Sequence, residues 1–158
     1  RTAMHAYAFS PPCTLPLRQS RWYNSLVDSY IYATDVVPRL SIGSIHALCE
    51  AVEAATHAGK PHHSQHHSQH HSDDAFVYEY VRRAERPRWS TRFPAGRLRQ
   101  LEPVDARRRG GRGHEYVLLR PCRRGLGLVR LHRNMLRDHG FDRYECALAE
   151  HLGLKTHR

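Results

Sequence analysis

Two short segments of this chain carry side chains suited to proton transfer. TDVVPRLS (34–41) directly follows LVDSYIY (26–32), whose mix of apolar, β-branched and aromatic residues reads as a strand. A carboxylate just past the carboxyl end of a strand projects into the crevice where ligands bind in open α/β sheets, so Asp35 stands where a catalytic acid would sit. The same carboxylate equally suits an Asx turn, in which it bonds the backbone two residues on. NMLRDHG (134–140) lies between a short apolar run and a final helix. His139 within it has the side chain whose ordinary pKa is near neutrality, the usual proton shuttle. The chain has 14 His, however, six of them in one repeat, and His114 and His132 compete for the role.

Other reactive residues form weaker patterns. Cys13, Cys49, Cys122 and Cys146 lie far apart and make no C-x-x-C pair, which is neither a zinc nor a redox spacing. They read as small buried hydrophobes in a reducing compartment, or as long-range disulfides in a secreted protein. The tract PHHSQHHSQHHS (61–72) sets His62, His66 and His70 at four-residue intervals. On a helix these would share a face able to bind Zn, Ni or Cu, but neutral histidines on a flexible tract bind metals weakly and without selectivity. A tandem repeat without function is expected, and no metal or cofactor is assigned.

The elements around these residues follow from periodicity. HAYAF (5–9) is an apolar run ended by Ser10, Pro11 and Pro12, a strand followed by a proline-fixed loop. From 41 to 58, Ile42, Ile45, Leu48, Cys49, Val52 and Ala55 follow helical spacing, with Ser41 or Ser44 as cap and Gly59 as stop. Residues 75–84 suit a helix, RLRQL (97–101) and EYVLLR (115–120) suit neighbouring strands, and 126–131 a third short strand. A terminal helix over 142–152 has Asp142 as its cap and Glu145 three residues later. The histidine repeat, within 59–74, is too polar to bury surface and reads as a disordered insertion; a second one, the Arg/Gly-rich loop 103–114, separates the strands.

Charge is concentrated in the middle. The net charge is +10, but residues 82–133 hold sixteen Arg against four acids while the flanks are near neutral. Such a block favours polyanions through counterion release. With 158 residues the chain has room for one modest domain. It begins with Arg1 rather than Met, so a cut from something longer is expected. No leader-like stretch and no long apolar run is present in the chain, so an intracellular or membrane-associated location is the expectation.

Three blocks, AYAFSPPC (6–13), DSYIYATDVVPRLSIGSI (28–45) and NMLRDHGFDRYECAL (134–148), resemble the later half of the class 3, fungal-lipase-like domain, particularly its diacylglycerol-lipase branch. The weaker PAGRLRQL (94–101) resembles the strand leading to the histidine segment. Together they cover about a third of the chain. The D-x-V-P-R element between strand and helix is the most specific match, and M-L-x-D-H supports it.

The resemblance implies an α/β fold, here a partial α/β-hydrolase made of the C-terminal part of the sheet with flanking helices and disordered insertions. It implies lipid ester hydrolysis by a Ser-Asp-His triad, with Asp35 as triad acid and His139 as general base, in the chain order expected for the fold. The nucleophile belongs on a G-x-S-x-G elbow, and no two glycines here lie four positions apart. Ser10, Ser25, Ser41 and Ser44 lack that context and read as turn or cap residues. Cys13 lacks it too. The isolated chain is therefore expected to be inactive, with the elbow just upstream of Arg1.

Expected partners are an acylglycerol substrate, the missing N-terminal half of the parent domain and an anionic membrane surface. Nucleic acid is disfavoured: RRRGGRG (107–113) is a single tract, and Trp89, Phe93 and Tyr116 are not interleaved with it. The alternative is a catalytically dead basic interaction module that binds RNA or an anionic membrane.

Overall fold

A computed structural model describes residues 4–58, Tyr80, Arg82, 91–105 and 114–154. Four strands, β1 (Ala6–Phe9), β2 (Val27–Tyr32), β3 (Arg97–Asp105) and β4 (His114–Leu119), form one sheet in that order. β1, β2 and β3 are parallel, and β4 returns antiparallel to β3. Helix α1 (Leu17–Trp22) and a 3-10 turn (Tyr23–Ser25) join β1 to β2. After β2 come a 3-10 turn (Val37–Arg39) and α2 (Ile42–Ala58); after β4 come the helical turn α3 (Arg123–Leu126), a 3-10 turn (Arg137–His139) and α4 (Phe141–His151). This is a mixed four-stranded sheet with flanking helices, α/β in class.

The period-two alternation of strands divides the core into two faces. On one, Tyr32, Ala33 and Leu101 pack against Tyr144 and Ala147 of α4, with Tyr30, Tyr116 and Leu118 around them. Phe9 of β1 joins this face through rings at 5.5 Å from Tyr30 and 6.0 Å from Tyr144. On the other, Ile31 and Leu98 meet Leu126 of α3. β3 begins at a fixed point because Gly96 has φ +73° and a Cβ there would lie 2.1 Å from the Val27 carbonyl oxygen.

Several expectations are corrected. β3 runs through Pro103, Val104 and Asp105, which the sequence assigns to the Arg/Gly-rich loop, and His114 opens β4. The β2 pairing ends at Tyr32↔Leu101, so Pro103 sits where β3 is flanked by β4 alone, a position that tolerates proline. The rest of that loop and the histidine repeat lie outside the described residues. So does most of the 75–84 segment, of which Tyr80 and Arg82 are helical.

Residues 126–131 form no strand. Leu126 ends α3, and Val129 has both its N–H and its carbonyl bonded to the Tyr80 hydroxyl, at 2.6 and 3.1 Å, so a side chain takes the place of a strand partner. α4 starts at Phe141 with Gly140 as its cap residue, not Asp142, whose exposed carboxylate lies in the first turn.

α2 forms as expected but turns a different face inward. Ser41 and Ser44 make a reciprocal capping box: the Ser44 N–H donates to Ser41 Oγ at 3.1 Å, and the Ser41 N–H donates to Ser44 Oγ at 2.8 Å. Ser44 Oγ also donates to the Arg39 carbonyl at 2.7 Å, which pins Ser44 inside. The positions that follow it at helical spacing, Ala47 and Ala51, are then buried, while Ile42, Ile45, Cys49 and Val52 are exposed.

Candidate functional site

The two residues singled out by type and position are brought together. Asp35 lies just after β2 with its backbone N–H bonded to the Tyr32 carbonyl at 2.8 Å. His139 closes the 3-10 turn Arg137–His139 ahead of α4. His139 Nδ1 is 3.4 Å from Asp35 Oδ1; the carboxyl side chain is 0 % exposed and the imidazole 48 % exposed.

The preceding residues form a second rung. Asp138 Oδ2 accepts the Thr34 N–H at 3.1 Å and the Thr34 hydroxyl, across 104 positions of sequence. Asp138 is buried. Consecutive residues 34 and 35 thus meet consecutive residues 138 and 139, which fixes the two turns in register.

The remaining bonds of Asp35 immobilise its carboxyl group. Oδ1 accepts the Val37 N–H at 3.0 Å, so the Asx-turn reading is realised together with the contact to His139. Oδ2 accepts from the Tyr144 hydroxyl, whose oxygen accepts the Tyr32 N–H at 3.0 Å. Tyr144 is 1 % exposed. Burial, reinforced by the bond to the Asp35 carboxylate, pushes its phenol well above the ordinary range, so it stays protonated and donates.

Ser10 adds the last contact, with Oγ 2.6 Å from His139 Nδ1. The tautomer sets the direction of this bond: an Nδ1–H donates to Ser10 Oγ and faces the Asp35 carboxylate, whereas a bare Nδ1 accepts from the Ser10 hydroxyl. Ser10 is not equipped to act as a nucleophile in acyl transfer. It touches the nitrogen that faces Asp35, its own N–H is given to the Tyr30 carbonyl at 3.0 Å, and Pro11 and Pro12 after it have no N–H to stabilise an oxyanion. Ser10 (φ +48°) and Ala33 (φ +39°) both have left-handed backbone at the carboxyl ends of adjacent parallel strands, conformations that cost of the order of 1–3 kcal/mol each.

The other candidates are placed as follows. His132 Nδ1 is 3.4 Å from Thr34 Oγ1 and accepts the Asn134 N–H at 3.2 Å, beside the pair but not in it. His114 opens β4 opposite Asp105. Cys13 is buried and donates to the Pro38 carbonyl; burial pushes its thiol up to about 12, which favours the thiol over the thiolate at neutral pH. Cys49 and Cys122 are exposed, so the expectation of four buried cysteines holds for Cys13 alone. Ser41 and Ser44 are caps, as expected.

A cavity of ≈ 290 Å³ lies at the Thr34–Asp138 rung, lined also by Tyr32, Glu102, Tyr116 and Arg143 among others; Asp35 and His139 do not line it. No helix is long and apolar enough to cross a membrane, among the described residues. Sequence reading missed Ser10 as a contact of His139, and missed Thr34, Asp138 and Tyr144. The paired dipeptides Thr34–Asp35 and Asp138–His139 held a signal, since each places a hydrogen-bonding side chain next to a candidate; nothing marks Tyr144 among the eight tyrosines.

No family model matches the chain, and no curated protein or solved structure is similar to it at a significant level.

Proposed function

We propose that this chain is the later part of an α/β-hydrolase of the class 3 lipase type, supplying Asp35 and His139 to a Ser-His-Asp triad that cleaves acylglycerol esters. The observation that carries the reading is the 3.4 Å approach of His139 Nδ1 to a fully buried Asp35. Support also comes from their placement: the acid follows a parallel strand at its carboxyl end, where such sheets bind ligands.

In this reading Asp35 holds the Nδ1–H tautomer and stabilises the imidazolium that forms, while Nε2 takes the proton of a serine hydroxyl during its attack on the ester carbonyl. The imidazolium then returns that proton to the departing alcohol. The serine comes from a G-x-S-x-G elbow outside these 158 residues. The Arg-rich centre suits approach to an anionic lipid interface. It also favours a non-catalytic basic module, although Arg97 and Arg99 share the Asp28 carboxylate within the fold.

The test is the transcript upstream of Arg1, followed by assay of the encoded protein on diacylglycerol and short acyl esters. An elbow should be present, the longer protein should hydrolyse esters, and Asp35→Asn or His139→Gln should each lower kcat by about a thousandfold or more. The 158-residue chain alone should be inactive. Full activity in the His139→Gln protein overturns the reading.

A further inference from the structure

We infer that a cleft lined by Asn24, Arg97, Arg120 and Arg123, at the end of the sheet away from Asp35 and His139, binds a phosphate-bearing ligand, either a lipid headgroup or a soluble phosphate ester. The cavity measures ≈ 280 Å³, room for a phosphate and part of its substituent. Separate elements converge on it. Arg97 opens β3, Asn24 lies in the 3-10 turn before β2, Arg123 starts α3, and Arg120 follows β4, whose Leu119 pairs with Gln100 near the start of β3.

Among the described residues, the cations at the cleft outnumber the carboxylates bound to them. Arg123 is held by three neutral acceptors: the Ser20 hydroxyl, Asn24 Oδ1 at 3.2 Å and the Gly96 carbonyl at 2.6 Å. Its guanidinium is oriented without a carboxylate partner in these bonds, and burial, then the neighbouring Arg21, pull its pKa down. Arg97 is bound to Asp28 through Nε and Nη2, both at 2.9 Å. That one carboxylate also faces Arg99 at 3.6 Å and His5 at 3.0 Å. Arg120 is exposed, and no carboxylate is among the described lining residues.

Arg97 and Arg123 are held in position by these bonds, so the charge and the N–H groups that the bonds leave unused lose little freedom on binding a phosphate, and Arg120 adds a third guanidinium. The described lining includes no aromatic ring, the stacking platform that a single-stranded nucleic acid would use. β2 spans roughly 20 Å between this cleft and the acid–base pair, so the site stands independently of the hydrolase reading.

The test uses the 158-residue chain, titrated with inorganic phosphate at constant ionic strength by calorimetry. One phosphate per chain should bind saturably. Arg120→Glu should weaken it about tenfold or more, as loss of a charge-assisted contact does. Asn24→Asp should do the same with an unchanged thermal melt. Arg137→Glu, the same charge change on the far side, should leave affinity within about twofold. Phosphatidylcholine vesicles doped with phosphatidic acid separate the sources: capture that phosphate competes away identifies a headgroup, and phosphate binding without capture identifies a soluble ester. Absence of saturable phosphate binding, equal losses in Arg120→Glu and Arg137→Glu, or RNA binding that phosphate fails to displace would overturn the inference.

Discussion

Asp35 has both oxygens engaged before any substrate arrives, and each bond comes from a different part of the chain. Val37 and Tyr144 fix the carboxyl plane, and the imidazole approaches the oxygen that also bonds Val37. Replacing Tyr144 by Phe removes the phenol that links Asp35 to the Tyr32 N–H, leaving two buried polar groups unpaired. A loss of about 1–3 kcal/mol is expected in urea unfolding. Asp138→Ala cuts the companion rung at Thr34 and should cost about as much, with Asp138→Asn milder because an acceptor oxygen remains. Asp28 gives a pH signature of its own. Burial opposes its ionisation, but the bonds from His5 and Arg97 prevail and lower its pKa. A lowered folded-state pKa means a stabilisation present above the ordinary aspartate range and lost as pH falls through the lowered value. Acid unfolding below about pH 4 should therefore be shallower in Asp28→Asn than in the unaltered chain; equal slopes would assign the acid lability elsewhere.

The strands and helices show which features local sequence encodes. β1 and β2 were legible because their apolar and aromatic composition and their Pro or Asp terminators are properties of the segments themselves. The existence of α2 was legible for the same reason, but its inward face was not. The stripe of Ile42, Ile45 and Val52 has the right spacing for a core, yet the rotation is set by Ser44 reaching the Arg39 carbonyl, a bond that periodicity does not encode. Likewise 126–131 looks strand-like in isolation, and only Tyr80, distant in sequence, shows why Val129 needs no strand partner. The reciprocal Ser41–Ser44 box gives a direct check on α2. Ser41→Ala removes the acceptor of the Ser44 N–H and Ser44→Ala that of the Ser41 N–H, so each should lower stability by about 1 kcal/mol, and the double variant by somewhat less than the sum because both single variants already lose the bond between the two hydroxyls.

For the molecule as a whole, the sheet leaves β1 as one edge of the described residues, with Tyr7, Trp22 and Leu26 exposed near it and the apolar stripe of α2 facing outward. Bare edges and apolar surface favour association. Sedimentation of the 158-residue chain should show concentration-dependent oligomers, and Tyr7→Lys, a charge on the edge strand, should shift them toward monomer. Against that tendency the fold still brings the acid and base together from opposite ends of a long excursion, a contact that exists only if the sheet and α4 are assembled. Ring-nitrogen NMR of His139, assigned by its disappearance in His139→Gln, reads this contact directly. Protonated Nδ1 with a lone pair on Nε2 is expected, reverting in Asp35→Asn toward the Nε2–H form that free imidazole side chains prefer. An Nε2–H ring that ignores the Asp35→Asn change would mean that the two groups do not act as a pair.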